Sequence, residues 1–115
     1  MHHGRALAQT AEQLMRSRYS AYALGDVEYL IATHLDDQTS LGQRRCALKA
    51  TCRQTQWLGL EILAREGGGV NDGEGTVRFV AHFRTDGQRS TLQETSLFQR
   101  RGADRRGEWL YIRAK

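Results

Sequence analysis

A chain of 115 residues with 39% apolar and 26% charged side chains has room for one domain with a modest core. No run approaches the roughly 18–20 consecutive apolar residues of a membrane-spanning helix. The start, Met1-His2-His3-Gly4-Arg5, is not followed by an apolar segment, so no secretory signal is expected and the default location is the cytoplasm.

Taken in order, Thr10-Ala11-Glu12-Gln13 is a capping box, and apolar positions Ala11, Leu14, Met15, Tyr19, Ala21 and Tyr22 form one stripe. The spacing predicts a helix over 11–24, ended by Gly25 in the left-handed region. Arg18 falls on or beside its buried face. Asp26 should cap a second helix, 27–34, whose last residue, His34, suits the negative end of the helix dipole. Ser40 should cap a third, 41–54, with Ala47, Leu48 and Cys52 inward. Trp57 to Ala64 alternates, with Leu58, Leu60 and Ile62 expected on one side of a first strand.

The informative part follows Gly75. Thr76 to Arg84 alternates apolar and polar residues, Asp86-Gly87 signals a two-residue hairpin, and Thr91 to Gln99 continues the alternation. Such a turn pairs Thr85 with Gln88, Ala81 with Leu92, Phe79 with Glu94 and Val77 with Ser96. A polar connection leads to a last strand at Trp109, with Phe98 expected opposite Trp109 and Ser96 opposite Tyr111. Three helices and then four antiparallel strands make an α+β layer. On the covered face, Glu94 and Ser96 stand among Val77, Phe79, Ala81, Phe83, Leu92, Phe98, Trp109 and Tyr111.

A carboxylate among aromatic rings needs a partner. One answer is an ion pair with Arg18. The other is a ligand pocket in which Arg18, Tyr19, Tyr22, Trp57, Glu94, Ser96 and Trp109 meet a small molecule, with Glu94 as anchor or as the one candidate general base. An Arg18–Glu94 pair with no cavity beside it excludes catalysis there. A cavity of about 300 Å³ or more beside an unpaired Glu94 revives it.

Other chemistry is sparse. Cys46 and Cys52, six apart, cannot meet on one helix, and no metal-binding spacing is present; no metal or cofactor is expected. His82 falls on the outer face. Between Phe98 and Lys115 six basic residues oppose two acids, and Arg100, Arg101, Arg105 and Arg106 crowd one connection, read as a solvated tip or, at most, a weak nucleic-acid patch.

Thr10 to Tyr22, Tyr29-Leu30, Trp57 to Ile62, Val77 to Phe83, Glu94-Thr95-Ser96-Leu97-Phe98 and Trp109-Leu110-Tyr111 together resemble the bacterial YchJ-like family. The resemblance covers nearly the whole chain, residues 1–115, as one domain. It implies a cone-shaped fold of the nuclear-transport-factor-two-like (cystatin-like) kind and no established activity. Many members look like this domain preceded by a cysteine-rich zinc-binding segment; this sequence has no such cysteines, so either that segment is lost or the true start lies upstream of Met1. Three functional readings stand in order: a binding or interaction module for an unidentified small molecule or protein, including a homodimer through Val80, Leu97 and Ile112 on the outer sheet face; an isomerase, dehydratase or hydrolase using Glu94; and nucleic-acid association through the arginine tip.

Overall fold

The computed structural model describes residues 8–35, 39–103 and 107–115. Helices α1 (Ala11–Leu24), α2 (Val27–Ala32) and α3 (Leu41–Gln54) precede strands β1 (Thr55–Gly67), β2 (Glu74–Thr85), β3 (Gln88–Arg100) and β4 (Trp109–Ala114). The strands form one antiparallel sheet in chain order.

The helix ends follow from their caps. Thr10 Oγ1 accepts from the Gln13 amide at 3.1 Å, and Gly25 closes α1 at φ 75°. Gln13 reaches back one residue further than a capping box requires, accepting from the Gln9 amide at 2.8 Å. Asp26 and Ser40 cap α2 and α3. The second helix stops at Ala32, two residues short of the expected His34. The reason is competition from the sheet: Thr33 O accepts from the Tyr111 amide and Leu35 N–H donates to Tyr111 O, laying His34 parallel against β4. His34 is therefore a sheet-edge residue whose ring packs 4.8 Å from that of Tyr111.

α3 has the expected bounds but not the expected inner face. None of its residues is buried; Ala47 is exposed, and Leu48 and Cys52 are half-buried. Polar contacts hold it instead. Arg44 Nη2 donates to the carbonyls of Ile31 and His34, and Arg45 forks onto Glu28.

The β2–β3 register is the predicted one at all four pairs, because Asp86 (φ 53°) and Gly87 (φ 79°) both take the left-handed region that a two-residue turn demands. The outer pairings depart from strict alternation. A bulge between Trp57 and Gly59 sets Trp57 opposite Phe83 and Leu60 opposite Ala81, so Leu58 leaves the inner row and is 38% exposed. In β3–β4, Phe98 pairs with Tyr111 and Arg100 with Trp109, while Ser96 faces Ala114. The expected Phe98–Trp109 pairing is thus wrong by two residues, because β3 continues through Arg100, and the expected Ser96–Tyr111 pairing by three, because the register shifts once more between Leu97 and Phe98.

Arg100 is buried, not part of a solvated tip. Its guanidinium donates to the carbonyls of Asp72, Gly107, Gln9 and Val70 and lies 4.6 Å over the Trp109 ring. Trp109 Nε1 joins the same knot by donating to Gln9 O. Arg101 pairs with Glu108, and Arg105 and Arg106 lie outside the described residues. The core is built on Ala11, Leu14, Val77, Phe98 and Trp109. On the outer face Leu97 is already buried within the chain, whereas Val80 and Ile112 are half-buried. At the β1–β2 end, Gly68 N–H donates to Glu74 O and Gly68 O accepts from Ala11, which seats α1 on the sheet.

Candidate functional site

Between α1, α3 and the sheet lies a cavity of about 260 Å³. Helical spacing supplies Met15, Arg18, Tyr19 and Tyr22 from α1. Strand alternation supplies Phe79 and Ala81 from β2 and Leu92, Glu94, Ser96 and Phe98 from β3; Trp57, Tyr111 and Thr51 complete the wall. Arg18, Tyr19, Tyr22, Trp57, Glu94 and Ser96 are therefore brought together. Trp109 is not: it sits under Arg100 in the core.

Glu94 points inward, as the hairpin register requires, but it does not pair with Arg18. Ser96, two residues on and on the same face, donates from Oγ to Glu94 Oε2 at 2.8 Å. The Tyr111 hydroxyl donates to the same oxygen at 3.5 Å. No described residue hydrogen-bonds Oε1. Arg18, 6% exposed, turns instead to the end of α2, where Nη1 donates to Leu30 O at 2.9 Å and Thr33 Oγ1 at 2.7 Å. The last carbonyls of a helix lack partners within it, so a short helix ending beside Arg18 offers ready neutral acceptors. The Arg18 guanidinium also lies 5.0 Å over the Tyr111 ring. In place of the ion pair, each of the two opposite charges is held by its own neutral partners.

Electrostatics follow from burial. Burial pushes the Arg18 pKa down, opposed by the Tyr22, Tyr111 and Tyr29 phenols, yet a guanidinium starts so high that it stays charged at neutral pH. Burial, reinforced by the charge of Glu94, pushes the Tyr111 phenol up to about 12. Burial also raises Tyr19. Tyr19 and Tyr22 pack on Trp57 with ring centroids 5.8 and 5.5 Å apart. Trp57 Nε1 is buried with no hydrogen-bond partner, an omission that typically costs about 1–3 kcal/mol.

Tyr111 is the member that sequence reasoning placed on the right face but not in the site. Its signal was the alternation of β4, hidden by the two-residue shift. The raised phenol predicts that Tyr111 ionises late in an alkaline titration followed by phenolate absorbance, with Tyr111→Phe identifying its contribution. A folded-state pKa above the unfolded value contributes stability that is complete below pH ~10 and lost as the pH climbs toward ~12. Glu94→Gln should bring the Tyr111 transition down. Simultaneous ionisation of all tyrosines near the ordinary value, with the protein still folded, would contradict the burial of this phenol.

Elsewhere, His82 Nε2 meets Glu61 at 2.8 Å on the exposed face. Cys46 is exposed, and burial raises the Cys52 thiol. Among the described residues no three His, Cys, Asp or Glu side chains converge as a metal site, and no helix is long and apolar enough to cross a membrane.

Known proteins resemble this chain in sequence and in fold. The UPF0225 protein of Pectobacterium carotovorum is 44% identical over 111 residues, covering 93% of this chain and 67% of that one. That of Geobacter sulfurreducens is 41% identical over 98 residues, covering 84% and 60%. That of Chromobacterium violaceum is 38% identical over 115, covering 91% and 73%. The chain thus spans between 60% and 73% of the length of these three relatives. The solution structure of a SEC-C motif containing protein from Rhodopseudomonas palustris superposes with a TM-score of 0.75 at 30% identity, covering 96% of this chain and 80% of that one. An LEH-like epoxide hydrolase of M. tuberculosis superposes over 94% of this chain and 82% of its own at a TM-score of 0.56 and 13% identity, a likeness of fold alone. Residues 10–114 match the family described as the YchJ middle NTF2-like domain, and the chain belongs to that family.

Proposed function

We propose that this domain is a binding module for a compact, mostly apolar small molecule seated in the cavity. The observation that carries the reading is an inward carboxylate, fixed by Ser96 and Tyr111, on the wall of an otherwise largely aromatic chamber of about 260 Å³. The unpartnered Trp57 Nε1 supports it, since a buried donor left over in the empty protein is a group that an acceptor on a ligand would satisfy. Catalysis by Glu94 is the second reading. It needs a complementary acid, and a phenol held near 12 is a poor one at neutral pH. Binding is therefore the reading adopted.

Indole titrated into labelled protein tests it by nuclear magnetic resonance. The Trp57 indole N–H and the Ser96 amide should shift in a saturable manner. Ala81→Leu, which puts three more carbons into the chamber, should weaken that binding at least tenfold while leaving the protein folded. Unshifted cavity signals at millimolar indole, or equal binding by the Leu variant, would count against the cavity as a binding site.

A further inference from the structure

We infer that the cavity takes a zwitterion: a molecule of amino-acid size whose ammonium meets Glu94 and whose carboxylate meets Arg18, with an apolar side group against the aromatic wall. This inference rests on the cavity reading above and adds the chemical class of the ligand. Its basis is that Arg18 and Glu94 line one chamber, are opposite in charge, and do not pair. Two opposite charges lining one cavity attract each other, so leaving them apart requires each to be held in place. Arg18 is held from the end of α2 by Leu30 O and Thr33 Oγ1, and Glu94 from β3 and β4 by Ser96 and Tyr111. Tyr111 links the two, its ring under the guanidinium and its hydroxyl on the carboxylate.

Each charge has neutral hydrogen-bond partners, and among the described residues neither has a counter-ion. A purely cationic ligand would answer Glu94 but meet Arg18, and a purely anionic one the reverse. A ligand carrying both charges answers both without a net charge entering the chamber. Its ammonium would find Glu94 Oε1 and the faces of Tyr19, Tyr22 or Trp57, which suit a cation. By scale, an apolar cavity of about 150 Å³ accepts benzene, so about 260 Å³ suits one ring plus a short charged backbone.

The test is a calorimetric series at neutral pH with four probes: L-phenylalanine, 3-phenylpropionate (no ammonium), phenethylamine (no carboxylate) and indole (no charge). Phenylalanine should bind at least tenfold more tightly than either singly charged analogue. Glu94→Gln should erase its advantage over 3-phenylpropionate. The Arg18 contact is read from the ligand side, because Arg18 also ties α1 to α2 and its removal threatens the fold. Equal affinity of phenylalanine and either singly charged analogue, or retention of the preference in Glu94→Gln, overturns the zwitterion assignment. Binding of indole with no binding of phenylalanine also overturns it but leaves the cavity reading intact. Failure of all four probes defeats both.

Discussion

Replacing Arg100 with methionine is expected to lower the free energy of unfolding by about 3–5 kcal/mol, measured by urea denaturation. The argument rests on how many separate segments depend on one guanidinium. Gln9 precedes α1, Val70 and Asp72 belong to the β1–β2 connection, and Gly107 belongs to the β3–β4 connection; each presents a carbonyl to Arg100. Hydrogen bonds from a charged donor contribute more than neutral ones, about 1.5–3 kcal/mol each before non-additivity is counted. Methionine keeps the apolar packing on Trp109, so the loss reports the polar knot and not a hole. Arg100→Lys retains the charge but not the planar fork, and should recover less than half of the loss. A change below about 1 kcal/mol in the methionine variant would show that water substitutes readily for the guanidinium.

The second large effect is expected from Gly75→Ala. A Cβ built there would lie 2.3 Å from Gly68 N and 2.4 Å from Gly68 Cα. Both are backbone atoms, so no rotamer change relieves the clash, and the strand or the turn must move. The turn is anchored, since Gly68 bonds both Glu74 and Ala11. A loss of about 3 kcal/mol or more is expected, with Gly59→Ala as the control. Gly59 has nothing within 4 Å of its would-be Cβ and no positive φ, so its substitution should change stability by no more than about 0.5 kcal/mol. Similar losses in the two variants would mean that the β1–β2 end yields easily.

These two positions also show what could be read from residues alone. The capped helix ends were legible because caps are local: Thr10, Gly25, Asp26 and Ser40 each act within a few residues, whereas the end of α2, set by pairing with β4, was not. The β2–β3 pairing was legible because a two-residue turn fixes register for the whole hairpin, and that register sent Glu94 inward. Past the hairpin the phase was lost. Gly59 inside a strand pattern is a bulge signal that the strict alternation overrode, whereas nothing in Leu97-Phe98 announced the second shift. Arg100 stood in phase with Ser96 and Phe98, yet charge made it look like a loop residue. Arg18 was placed correctly by its helical position, but its partners were not. A buried guanidinium was assigned the available carboxylate, whereas the unclaimed carbonyl at the end of α2 and the Thr33 hydroxyl lay within reach.

The helices over the cavity are not held in the same way. α3 contributes Thr51 to the cavity wall but sinks no side chain into the core, and Arg44 and Arg45 tie it to α2, Arg45 through an exposed ion pair. Exposed charge pairs fade as ionic strength rises, whereas the oily contacts between α1 and the sheet do not. Added salt is therefore expected to weaken the Arg45–Glu28 tie between α3 and α2 while leaving the apolar seating of α1 on the sheet in place.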